Sequence, residues 1–335
     1  MSSDPIAPFG TLPDGRQVQN VTIARDGLRA RVLTYGATLQ DLRLDGVAYP
    51  LVLGWPGLDG YLQSRGYFGA IVGRFANRIA QGRFRAGGRW HQADRNFLER
   101  HTLHGGSQGS DKMLWSLEAQ AEDAVTLRLE MPNGHMGFPG ALSVAVTYAI
   151  RPGPMLEIMI EAQSDQETPC SFAPHNYFIL DDSGSIRDHH LEIFADHYLP
   201  VDNDLIPTGV QHPVTGTAFD FRQLRAVGEH PFDHNLCLSS ERVAVRQVGR
   251  LISSDGSLGM SIRTTEPGLQ TYTNSQFNEP DRAGLQGRPY QRYSGIALEP
   301  QVWPDAMNQE GFPEAMLTSD IVYRSKSQFS FQNLI

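Results

Sequence analysis

Residues 142–160 read Leu-Ser-Val-Ala-Val-Thr-Tyr-Ala-Ile-Arg-Pro-Gly-Pro-Met-Leu-Glu-Ile-Met-Ile, two alternating runs on either side of Arg151-Pro-Gly-Pro154. Alternation with a period of two sends one set of side chains to a core and the other to the opposite face of a strand. Glycine and proline between the runs supply the reversal, so the stretch predicts an antiparallel hairpin. Val125-Thr-Leu-Arg-Leu-Glu-Met131 has the same period. Further reversals are expected at Arg85-Ala-Gly-Gly-Arg89, Pro132-Asn-Gly134 and Asp182-Ser-Gly184. No segment sustains a 3.6-residue apolar stripe over three turns, and no repeat of fixed period is present. A parallel α/β architecture needs crossovers of about a dozen residues, and the intervals here are shorter and rich in Gly and Pro. The 33 Gly and 21 Pro are spread along all 335 residues, marking no boundary. The expectation is an all-β fold, a large antiparallel β-sandwich forming a single domain over residues 1–335.

Composition narrows the partners. A net charge of −9 disfavours a phosphate backbone, so no nucleic acid partner is expected. The cations are almost all arginine, with lysine only at positions 112 and 326. The opening residues lack a charged segment followed by an apolar one, and no run approaches the ~18 apolar residues of a membrane span. A cytoplasmic chain with no membrane partner is expected. Cys170 and Cys237 lack C-x-x-C spacing and read as buried free thiols. There is no G-x-G-x-x-G after a strand and no P-loop motif, which argues against dinucleotide and nucleotide cofactors.

Four places put polar groups where the pattern leads to core. Asn77 and Arg78 interrupt Gly73-Arg-Phe-Ala-Asn-Arg-Ile-Ala-Gln-Gly82, and His104 precedes Gly105-Gly106, glycines that permit close backbone approach. His175 lies in Cys170-Ser-Phe-Ala-Pro-His-Asn-Tyr-Phe-Ile-Leu180, and Glu299 follows the apolar run Gly295-Ile-Ala-Leu298. Each has a bland reading: a lone strand histidine is most often a packed residue, Arg78 could serve only an ion pair, and Gly105-Gly106 could be only a turn. Glu299 precedes a proline, which fixes extended geometry, and beside Trp303 its pKa is expected to rise. Asp233 in Pro231-Phe-Asp-His-Asn-Leu236 could equally cap a loop. His189, His190, His197 and Glu192 are of metal-ligating type, but adjacent strand residues point to opposite faces, so no metal is expected.

In order along nearly the whole chain, these stretches resemble the aldose 1-epimerase (galactose mutarotase) family. The carrying segments are GRFANRIAQGRF (73–84), LHGG (103–106), DKMLW (111–115), GFPG (137–140), PHNYFIL (174–180), VDNDLIPTG (201–209), GTAFDF (216–221), FDHNLCL (232–238), TTEPGLQTYT (264–273) and LEPQVWPDAMN (298–308). The resemblance implies a large antiparallel β-sandwich that interconverts the α and β anomers of a free sugar such as galactose or glucose, with no cofactor and no metal. It implies Glu299 as catalytic base and His175 as catalytic acid, with Asn77, Arg78, His104, Asp233 and Gln270 binding the sugar. The implied partner is a small-molecule sugar, and the chain is expected to act as a monomer or weak homodimer. Pro174 and Ile179 stand where the family usually has asparagine, and Pro300 where threonine is common.

Opening a hemiacetal ring removes the C1 hydroxyl proton while the ring oxygen receives one. Reference pKa values of about 4.3 for Glu and about 6.5 for His make a carboxylate base and an imidazolium acid available near neutral pH. Trp303 is expected to shield one face of the sugar. The alternatives are a hexose-phosphate 1-epimerase, which would want more arginines at the pocket mouth than Arg74 and Arg78, a glycoside hydrolase using Glu299 and Asp233 as its carboxylate pair, and a non-catalytic sugar-binding module.

Overall fold

The computed structural model describes residues 5–64 and 66–334. The hairpin expected at residues 142–160 supplies the third and fourth strands of a nine-stranded sheet. Leu142–Arg151 pairs antiparallel with Met155–Ser164 in unbroken register, so that Val144 meets Ala162, Val146 meets Ile160 and Tyr148 meets Ile158. Those residues are buried, as the alternation requires. Ala124–Met131 pairs on one side and the C-terminal strand Tyr323–Asn333 on the other. Leu258–Thr264 and Arg246–Ile252 extend the sheet toward its far edge.

The reversals fall where Gly and Pro placed them. Arg83–Ala86 and Arg89–Gln92 form a hairpin closed by Gly87-Gly88, both at positive φ, the turn geometry whose twist matches antiparallel strands. Gly153 and Gly184 also take positive φ.

A four-stranded sheet, Ile6–Thr11, Gln17–Arg25, Leu28–Leu33 and Thr38–Leu44, packs beside the large one. The Tyr148 hydroxyl joins them by donating to the Ala37 carbonyl at 2.7 Å. A six-stranded sheet completes the sandwich, in the order Tyr177–Phe178, Ile296–Gln301, Gly268–Tyr272, Asp233–Cys237, His197–Tyr198, His212–Pro213. One apolar cluster, reaching from Val21 to Phe331, is shared by all three sheets. A smaller cluster around Phe75, Phe84, Phe138 and Trp303 lies under the outer hairpin. The α-helix among the described residues is a six-residue turn, Leu58–Gln63, and no helix there is long and apolar enough to cross a membrane.

Candidate active site

The six-stranded sheet assembles the site by register. Directly opposed residues of antiparallel neighbours share a face. Glu299 opposes Gln270, and Gln270 opposes Asn235, giving one row of polar side chains. In the next row Tyr177 opposes Ala297, which opposes Tyr272, which opposes Asp233. Carrying the Tyr177–Ala297 register back two residues puts His175 against Glu299, and the two side chains meet with Nε2 3.5 Å from Oε1. His175 and Glu299 are 4% and 2% exposed.

Backbone bonds and packing position the histidine. Its N–H donates to Ala70 O at 2.9 Å, and its carbonyl accepts from Gly69 N at 3.0 Å. Ala173 and Pro174 form a short bridge with Val72 and Ile71, which makes use of the extended geometry that proline enforces. The ring sits among Tyr67, His104 and Tyr177, with centroids 5.6, 5.2 and 5.1 Å away. Its Nδ1 has no hydrogen-bond partner among the described residues. Packing, rather than a side-chain amide at position 174 or 179, orients the imidazole.

The hydroxyl-binding candidates form one network. Asp233 accepts from Gln270 Nε2 at 2.6 Å on one oxygen and from Arg78 Nη2 at 3.0 Å on the other. Asn77 Oδ1 accepts from the Arg78 backbone N–H and, at 3.3 Å, from its Nη1. The Asn77 N–H donates to His104 Nδ1 at 3.1 Å, which leaves the ring proton on Nε2 in the neutral imidazole. His104 and Asn77 hold positive φ. Gly105 makes this possible: a Cβ there would sit on the Gly73 carbonyl, so the close approach expected of Gly105-Gly106 occurs.

Burial dominates the electrostatics. It pushes His175 down to about 4 and lifts Glu299 well above the carboxylate range, with the Asp233 charge raising Glu299 further and Arg78 opposing. His104 is held well below its ordinary value by burial, then by His175, Arg78 and Lys112. A dry pocket therefore favours neutral His175 beside protonated Glu299. That arrangement has the same number of protons as an imidazolium–carboxylate pair, so the two states differ only in where one proton sits.

All seven sequence-derived site residues line a single cavity of about 1100 Å³ except Gln270, which reaches it through Asp233. Trp303 does not line it. The indole is buried in the smaller core cluster, with its N–H donating to Pro267 O at 2.9 Å, because strand Ile296–Gln301 has ended before it. Its aromatic lining includes Tyr67, Phe97, Tyr177 and Tyr272, for which the sequence held no distinguishing signal. Arg74 is also absent from the lining: its guanidinium donates to the carbonyls of Pro139 and Gly140. Cys170 is buried as expected, but Cys237 is only partly so.

His189, in the group weighed as metal ligands, is a core residue whose Nε2 accepts from Leu180 N at 2.9 Å. His104, His175 and Glu299 do offer ligand atoms within 4.8 Å of one another. The donor to His104 Nδ1 is a backbone amide, however, so its Nε2 carries a proton and has no lone pair to give.

A histidine and a carboxylate in buried contact, in a cavity of an antiparallel sandwich lined by side chains suited to hydroxyls, are what a sugar-converting enzyme site would need. The aldose 1-epimerase family model matches residues 19–330. Galactose mutarotase of Mus musculus is 40% identical over 336 residues, covering 96% of this chain and 97% of that one. Galactose mutarotase of Homo sapiens is 39% identical over 344 residues, covering 99% of each. The solved structure of an aldose epimerase homologue from C. elegans superimposes with a TM-score of 0.88 at 28% identity, over 94% of this chain and 99% of that one. The chain belongs to the aldose 1-epimerase family.

Proposed function

We propose that the protein interconverts the α and β anomers of a free aldose, galactose or glucose among them, with His175 and Glu299 moving the protons. The observation that carries this reading is the buried contact of 3.5 Å between His175 Nε2 and Glu299 Oε1. Sugar hydroxyls entering the pocket supply the hydrogen bonds that a charged pair lacks in its absence. Glu299 as carboxylate takes the C1 hydroxyl proton while His175 as imidazolium protonates the ring oxygen, and the C1–O5 bond breaks. The open aldehyde faces a neutral histidine and a protonated glutamate, the state that burial favours. Rotation about C1–C2 presents the other carbonyl face, and as the ring closes Glu299 gives its proton to the carbonyl oxygen while His175 takes back the proton of the C5 hydroxyl. No proton need be exchanged with solvent within a turnover.

Asn77, Arg78, His104, Asp233 and Gln270 orient the ring in this account, with His104 donating from Nε2. The glycosidase alternative is disfavoured because both Asp233 oxygens are already bonded, to Gln270 and Arg78. Polarimetry of freshly dissolved α-glucose or α-galactose tests the proposal: the protein should hasten the approach to the equilibrium rotation. New reducing ends released from oligosaccharides, with no such acceleration, would favour the hydrolase.

A further inference from the structure

The cavity, about 1100 Å³, is large for one pyranose and slightly exceeds the usual range of ~300–1,000 Å³ for small-molecule sites. Two charged side chains on its wall have no part in the chemistry above. Asp111 and Lys112 come from the segment Asp111-Lys-Met-Leu-Trp115. Asp111 is 6% exposed, one of its carboxylate oxygens has no hydrogen-bond partner, and the other lies 4.0 Å from Lys112 Nζ. A buried carboxylate oxygen left unpaired is costly unless water or a ligand satisfies it. Among the described residues lining the cavity the cations are Arg78 and Lys112, and Arg78 is engaged by Asp233.

The place of this pair relative to the sugar follows from ring chemistry. With the C1 hydroxyl at Glu299 and the ring oxygen at His175, the next ring atom, C5, lies past His175 and away from Glu299. Its exocyclic carbon points the same way. Tyr67 packs against both histidines, 5.6 Å from His175 and 4.7 Å from His104 between ring centroids. The Lys112 ammonium lies over the same tyrosine, 5.8 Å from its centroid.

Resting on the function proposed above, we infer that Asp111 and Lys112 read the exocyclic group of an aldohexose. The ammonium donates to the C6 hydroxyl, the carboxylate accepts from it, and the carboxylate turns away a phosphate ester at the same place. Burial lifts Asp111 to about 6, against the influence of Lys112, so it is a carboxylate at pH 7.5. A dianionic ester brought beside it meets like charge in a partly desolvated cavity.

The test compares glucose, xylose, which lacks the exocyclic carbon, and glucose 6-phosphate as a competitor of galactose mutarotation. In Asp111→Asn the inhibition constant for glucose 6-phosphate should fall on the order of tenfold, the scale of one like-charge contact removed. In Lys112→Met the KM for glucose should rise several-fold while that for xylose stays within twofold. A purely structural role would move glucose and xylose together. Parallel changes for the two sugars, or an unchanged inhibition constant in Asp111→Asn, would overturn the inference. Absence of mutarotation by the wild type would instead overturn the underlying function.

Discussion

At the scale of single residues, His175 and Glu299 carry the account because each is buried where its charge is disfavoured and each has the other as neighbour. Glu299→Gln keeps size and His175→Asn keeps a neutral polar group, so both should fold with unchanged far-UV circular dichroism. Each should lower kcat by about 10²–10⁴-fold, the usual contribution of a positioned acid or base. Near-normal polarimetric rates in either would remove it from the mechanism. The pH dependence has a definite sign. The pair works while it holds one proton. Below about 4 it takes a second, leaving no base, and the rate falls as pH falls. In alkali it loses the shared proton, leaving no acid, and the rate falls as pH rises. With xylose, which lacks the group that Asp111 contacts, the kcat/KM profile should therefore show its acid limb near 4 and fall again in alkali. A limb near 6.5, the ordinary value for histidine, would show that burial does not set the proton's place. Both residues were legible in the sequence as polar groups in apolar runs, but only their ordered company made them candidates for one site. Tyr67 was not, since Gly66-Tyr-Phe-Gly69 has no pattern that distinguishes a pocket wall from packing.

At the scale of elements, what could be read depended on how many faces a strand buries. Leu142–Arg151 and Met155–Ser164 have one face in the core and alternate plainly. Ile296–Gln301 is buried at every position, and Thr38–Leu44 nearly so, and a strand covered on both sides shows no alternation to count. Trp303 was misplaced for a related reason: proximity to Glu299 along the chain says nothing once the strand ends at Gln301. The glycines were more informative. The backbone of Gly105 passes so close to Gly73 that a methyl group has no room, and its φ is +84°. Gly105→Ala should cost more than ~1 kcal/mol in urea unfolding, since both the conformation and the space are denied. It should also raise KM, because His104 immediately precedes it. An unchanged midpoint and KM would show that the approach does not position His104.

At the scale of the whole molecule, the three sheets share one apolar cluster containing strands from both ends of the chain. Met155–Ser164 pairs with Tyr323–Asn333, so the C-terminal strand completes the large sheet rather than closing a unit of its own. We expect the 335 residues to behave as one domain. Calorimetry should give a single endotherm, and a saturating aldose should move it upward as a whole, as ligand linkage requires. Two separable endotherms, only one of them responding to sugar, would contradict that reading. The measurement that bears most directly on the central claim is the polarimetric time course of freshly dissolved α-galactose at neutral pH. The account predicts that catalytic amounts of the protein speed the relaxation to the same final rotation reached without it. No acceleration with galactose, glucose or any other free aldose would contradict it.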